Sequence, residues 1–233
     1  MIRVGTSGYN YPEWRGHFYP EKFPAKDMLG FYAERFDTVK INYTFYRSPT
    51  EKLLAGWVAA TPDTFVFTLK APQRITHHRR LIDIDEPLRR FCDTAEVLGR
   101  KLGPLFFQFP PNFKKETARL GTLLAMLPPR ARCAFEFRHP SWFADDVYAL
   151  LRSRDGALCI ADTAEGTTPD VATASWGYLR LRDAGYTDAE LDDWTATIAR
   201  HGWRDAYVYF KHEETASGPA LAQRLLRRVA PGS

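Results

Sequence analysis

Glu136 and Arg138 stand two residues apart in "CAFEFRHPSW" (133–142), a run otherwise rich in Phe. Extended backbone sends alternate side chains to opposite faces. Cys133, Phe135 and Phe137 therefore share one face, and Ala134, Glu136 and Arg138 the other. A carboxylate beside a guanidinium at a strand end can act as a general acid or base, or it can neutralise its neighbour. The same alternation in five other runs assigns Lys40, Asn42, Thr68, Lys70, Phe106, Gln108, Arg180, Arg182, Tyr207, Tyr209 and Lys211 to equivalent faces. Asp162, at the end of "ALCIAD", is assigned there too.

This set suggests two kinds of chemistry. Lys70, Arg138, Arg180, Arg182 and Lys211 outnumber Glu136, Asp162 and Asp183, and guanidinium groups grip phosphate or carboxylate in a bidentate way. An anionic ligand follows. Glu136, Asp162 and His77 are the candidates for proton transfer. Asn42, Gln108, His139 and the loop aromatics Trp14 and Tyr46 join the basic residues as candidate substrate contacts. Glu136 and Asp162 with His139 or His77 nearby would also suit a divalent metal, but no HxH or HExxH spacing is present, so metal is the weaker alternative. Ser7 lies in no GxSxG elbow, which argues against a serine hydrolase.

These residues need elements to hold them. Strand-like runs occur at 2–6, 38–42, 65–70, 104–109, 133–138, 157–162, 177–182 and 206–211. Helical periodicity lies between most of them. Leu120, Leu123, Leu124 and Leu127 share one helical face, and residues 87–102 form another amphipathic stretch, with Gly103 expected as its C-cap. "TDAE" (187–190) reads as a capping box, and a last helix is expected over about 217–229. Regular alternation of strands and helices predicts right-handed βαβ units and, with eight strands, one (β/α)₈ barrel spanning 1–233. Residues 163–176 carry no helical pattern, so an outer helix is expected to be missing between strands six and seven. The segments after the strands are long and carry most of the unusual residues, which places the site at the C-terminal mouth.

The bulk properties narrow the classes. At 45% hydrophobic and 26% charged, the composition is that of an ordinary globular chain, and the formal charge of +4 tolerates an anionic partner without demanding one. The scattered Cys92, Cys133 and Cys159 form no CxxC pair and read as buried apolar residues, not as cluster or zinc ligands. The chain opens directly on a strand and has no apolar run near the ~20 residues of a membrane span, so a cytoplasmic location without membrane partners is expected.

Five longer stretches carry a family resemblance: "GTSGYNYPEWRGHFYP", "NYTFYRSP", "TLKAPQRITH", "LGPLFFQFPPNF" and "FEFRHPSW". Together they resemble the YecE-like family, also known as domain of unknown function 72. The resemblance covers nearly the whole chain and implies a TIM-type barrel, with no activity attached. Matching positions include Trp14, Asn42, Tyr46, Lys70, His77, Gln108, Glu136, Arg138, His139, Asp162 and Arg180. The chain departs from the pattern at Arg182–Asp183 and at Lys211–His212–Glu213, which makes this mouth more basic. Two functional classes follow: an enzyme of undefined reaction on a small phosphorylated or nucleotide-like anion, and a nucleic-acid-associated protein using the basic mouth and aromatic loops. Neither the substrate nor the oligomeric state follows from these residues.

Overall fold

The computed structural model describes residues 1–163, 166–183, 185–211 and 216–229. Eight parallel strands form the barrel: β1 (Ile2–Thr6), β2 (Thr38–Ile41), β3 (Val66–Lys70), β4 (Leu102–Gln108), β5 (Cys133–Glu136), β6 (Ala157–Thr163), β8 (Gly177–Leu181) and β9 (Ala206–Phe210). A two-residue strand, β7 (Gly166–Thr167), pairs antiparallel with the end of β6. The spatial order is β1-β9-β8-β6-β5-β4-β3-β2, and every pairing along it is parallel. A wet-faced antiparallel sheet, which would give the same alternation, is thereby excluded. The ring is drawn together where Ser7 bridges Lys40 and the Gly8 amide donates to the Lys40 carbonyl at 2.8 Å.

The outer layer consists of α1 (Met28–Ala33), α3 (Glu51–Ala59), α4 (Asp85–Ala95), α5 (Thr117–Met126), α6 (Asp145–Arg152), α7 (Asp188–Arg200) and α8 (Ser217–Val229). One further turn, α2 (Tyr43–Tyr46), sits at the mouth. No helix lies between β6 and β8 among the described residues. Two threonine hydroxyls support β6 from that side instead, Thr173 accepting from the Leu158 amide and Thr168 from the Ala161 amide, each at 2.8 Å. The capping box at Thr187 and Glu190 is formed in both directions. No helix among the described residues is long and apolar enough to cross a membrane.

Gly103 does not cap a helix. Helix α4 gives way to tighter 3₁₀ turns over Glu96–Lys101, and Gly99, at φ 52°, takes the left-handed conformation. Gly103 lies inside β4, where a Cβ would come within 2.5 Å of Val66 Cγ1 and 3.1 Å of the Phe67 carbonyl oxygen. The glycine is needed because β3 and β4 approach closely there. Gly103→Ala should therefore destabilise the barrel by about 1–3 kcal/mol through overpacking, which a denaturant melt measures directly. A change within ~0.3 kcal/mol would mean that the strands can part without cost.

Inside the ring the lower half is apolar and aromatic. Phe106 stacks on Tyr178 with centroids 4.9 Å apart, and the Tyr209 hydroxyl lies between those of Thr38 (2.7 Å) and Thr68 (2.8 Å). All five are fully buried. The upper half carries Lys40, Lys70, Gln108, Glu136 and Arg180, all buried. Packed barrel interiors favour branched apolar residues, so this layer sets the chain apart.

Candidate functional site

Glu136 ends β5, with Gln108 of β4 beside it in register. It is not in open water: the residue is 2% exposed. One Arg180 terminal nitrogen donates to both Glu136 carboxylate oxygens at 2.8 Å, and Arg138 Nε donates to Oε1 at 3.2 Å. Burial alone would raise the Glu136 pKa, but Arg180 and then Arg138 outweigh it and hold it down at about 2. A carboxylate so placed is a poor proton carrier near neutrality and a good fixed charge. It orients two guanidinium groups, one sealed in the barrel and one, Arg138, reaching the surface.

Gln108 links this pair to the lysines. Its Oε1 accepts from Lys70 Nζ at 3.0 Å and from Arg180 at 3.4 Å. The Lys70 ammonium also lies 3.8 Å from the centroid of the Phe45 ring. No carboxylate pairs with Lys70 among the described residues. Burial, followed by repulsion from Arg180, pulls its pKa down to about 7. Deeper still, Lys40 is fully buried, and its Nζ has no hydrogen-bond partner among the described residues and lies 4.9 Å from the Phe106 ring centroid. Burial and the cations Arg180 and Lys70 press its pKa well below the ordinary lysine value. The Arg180 Nε, the Ser7 hydroxyl and the Tyr178 hydroxyl are likewise buried without partners.

Asp162 is on the wrong face for the expected carboxylate pair. The inward residues of β6 are Ala157, Cys159 and Ala161, which pack with Phe106 and Tyr178 inside the barrel. Asp162 instead accepts from the hydroxyls of Thr167 and Tyr186 outside the ring. Small residues point inward here because the Arg180–Glu136 pair fills the space that a larger side chain would need. Among the described residues, no three His, Cys, Asp or Glu side chains gather where a metal ion could sit.

The remaining candidates divide. His77 packs edge-on against Phe45 at 4.9 Å and contacts the Thr76 hydroxyl at 2.8 Å. Burial, then Lys70, lowers its pKa to about 4, so it is a neutral imidazole at pH 7. His139 is occupied locally: its Nδ1 accepts from the Ser141 amide at 3.1 Å and caps the turn Pro140–Trp142. Trp142 then stacks on Phe137 at 4.7 Å, which accounts for the abrupt break in "FRHPSW". Trp14 is 1% exposed and packs in its own loop against Tyr11, Phe18 and Tyr19. Asn42 donates to the Ser7 carbonyl at 3.3 Å and ties the ends of β1 and β2. Tyr46 is 69% exposed at the rim. Lys211 follows β9 at the mouth, and His212 and Glu213 lie outside the described residues. All three cysteines are buried and free.

Several clefts open around this charged layer, one of them lined by Asn42, Tyr43 and Tyr11, and two others lined by arginines. Of these two, one, of about 520 Å³, is lined by Glu136, Arg138, Thr163, Thr168, Arg182 and Phe143 among others. The other, of about 470 Å³, lies between the segments after β2 and β3 and is lined by arginines, Tyr46 and Phe45. The sequence marks Tyr46 as a contact but not the arginines around it, because they come from three separate segments.

A family profile described as "Protein of unknown function DUF72" matches residues 3–232. The UPF0759 protein YunF of Bacillus subtilis is 30% identical over 231 residues, covering 92% of this chain and 79% of that protein. A crystal structure of a DUF72 family protein from Thermotoga maritima superposes with a TM-score of 0.86 at 25% identity, covering 98% and 99% of the two chains. A DUF72 family protein from Enterococcus faecalis shows the same fold at 18% identity, with a TM-score of 0.79 and coverage of 98% and 97%.

Proposed function

The chain belongs to the DUF72 family of proteins of unknown function, and from that premise we propose that it is an enzyme acting on a small anionic substrate at the barrel mouth. The observation that carries this reading is Lys70: a buried amine with no carboxylate partner among the described residues, held by Gln108 and Phe45 and poised near pH 7. Lysines of this kind serve as proton acceptors or nucleophiles. Arg138 and Arg182, lining the 520 Å³ cleft, supply anion contacts. Glu136 fixes the orientation of Arg138 and does not move a proton itself. His77, neutral and against Phe45, adds a hydrogen-bonding group beside Lys70.

The nucleic-acid reading calls for one continuous basic groove. The concavities here are separate and of small-molecule size, which favours the enzyme reading.

Titration with sulfate and with phosphosugars tests the proposal. Sulfate keeps its charge across neutrality, so any pH dependence belongs to the protein. Affinity should fall as pH rises from about 6 to about 8, because Lys70 loses its proton near pH 7. Arg138→Ala should weaken binding about tenfold or more, the cost of one charge-assisted contact. Lys70→Met should flatten the pH profile. Equal sulfate affinity in wild type and Arg138→Ala would remove the basis for an anionic substrate in this cleft.

A further inference from the structure

The second cleft has a different construction from the mouth. Arg47 follows α2, Arg74 and Arg79 come from the segment after β3, and Arg90 rises from α4. Their side chains line one space of about 470 Å³, with Glu86 the only carboxylate lining it among the described residues. None of Arg47, Arg74 and Arg90 is ion-paired among the described residues. Arg79 donates to the Asp83 carbonyl, which holds that guanidinium at the edge. Concentrated, uncompensated guanidinium groups repel one another, and an oxyanion relieves this with bidentate hydrogen bonds.

The backbone that presents them is strained and pinned. Arg74–His78 is a π-helical turn, a feature that clusters at functional sites. Arg80, Leu81 and Asp83 have φ values of 47°, 66° and 48°, three non-glycine residues in the left-handed region within four positions. A bulky residue such as leucine rarely adopts that conformation, and such strain persists only where the surroundings enforce it. Ile75, Leu81 and Ile84, all buried, hold the segment from below. The Leu81 amide donates to the Ile75 carbonyl at 3.1 Å. The loop is thus shaped in advance, with Arg74, His78 and Arg79 turned to the cleft.

An aromatic platform completes the site. Tyr46 is among the few large aromatic residues left exposed, at 69%, and the buried Phe45 meets it edge-on with centroids 5.0 Å apart. A tyrosine fixed at the rim of a basic cleft offers its face to a flat ring.

We propose that the cleft between Tyr46 and the Arg74–Arg79 turn binds a nucleoside monophosphate, its phosphate held by Arg47, Arg74 and Arg90 and its base stacked on Tyr46. The site adjoins the charged layer through Phe45, whose ring also meets Lys70, but this inference does not rest on the catalytic reading. A volume of about 470 Å³ accommodates one nucleotide.

Calorimetric titration of the full chain with nucleoside monophosphates, the matching nucleosides, inorganic phosphate and single-stranded oligonucleotides tests this. Monophosphates should bind one to one, and nucleosides at least tenfold more weakly. Arg74→Ala combined with Arg90→Ala should cost at least tenfold in monophosphate affinity. Both positions are exposed, so the melting temperature should not move, and an unchanged melt certifies the comparison. Tyr46→Ala should weaken monophosphate binding several-fold and leave inorganic phosphate binding unaltered. Undiminished affinity in the double arginine variant would overturn the proposal. So would equal binding of nucleoside and monophosphate, or binding confined to oligonucleotides.

Discussion

Glu136→Gln should destabilise the protein by roughly 3–5 kcal/mol, the cost of leaving a buried charge without its partner. The Arg180 side chain is only 4% exposed, so water cannot take over the lost interaction. A wet, purely catalytic carboxylate would instead tolerate this change within about 1 kcal/mol. The buried geometry decides for the larger effect. Replacing both partners, as in Glu136→Gln with Arg180→Met, should recover much of the loss, because no uncompensated charge then remains. The pH dependence gives an independent check. The folded-state pKa of about 2 lies below the unfolded value, so folding favours the ionised form. That contribution, about 3 kcal/mol, is fully present above about pH 4.5 and is lost as pH falls through about 2. Denaturant melts of wild type from pH 7 to pH 3 should show about 2 kcal/mol of this loss, and Glu136→Gln should show much less of it. Equal slopes would assign acid sensitivity to other carboxylates.

Lys40→Met should act in the opposite direction and raise stability at pH 7 by about 1–4 kcal/mol, since a buried ionisable group gives way to a side chain of similar volume. Lys40 is fully buried, its Nζ lacks a partner, and cations surround it. Its folded pKa lies below the unfolded one, so protonation favours the unfolded chain. Wild-type stability should accordingly rise with pH between neutrality and about pH 10. The variant should keep only the share of that rise due to Lys70, whose pKa is also lowered. Chemical denaturation at pH 7 and at about pH 9 measures both effects. A variant less stable than wild type at pH 7 would show that Lys40 has a stabilising partner in solution. A gain in stability accompanied by loss of anion binding would mark Lys40 as a group kept for function at the expense of the fold.

The fold could be read from alternation because each strand separates its two jobs. Val39, Ile41, Leu69, Phe107 and Phe135 face the helices, and the polar residues between them face the axis. The rule failed at β6, where Leu158 and Ile160 alternate with Ala157, Cys159 and Ala161, so that both faces are apolar. Polarity then pointed to Asp162 as inward, whereas side-chain size would have pointed to Ala161: the bulky residues lie outside, and the small ones make room for Arg180. The charge of the mouth was readable, but its depth was not. Nothing in "FEFR" distinguishes a solvated carboxylate from one sealed by an arginine from a strand further along the chain. The arginine cleft is legible only at Tyr46, for a related reason. Arg47, Arg74 and Arg90 converge only through tertiary packing, and no residue type announces that Leu81 will take a left-handed conformation.

The stacked Phe106 and Tyr178, with Tyr209 clamped between two threonines, close the barrel from below. The barrel is therefore a cup and not a tunnel. Whatever enters the charged layer must leave by the same door, so two molecules cannot pass each other in transit. A compound that lodges in the doorway would compete with every reactant and every product alike. A two-substrate reaction here would have to seat both partners together, or leave part of the first attached to the protein while its remainder departs.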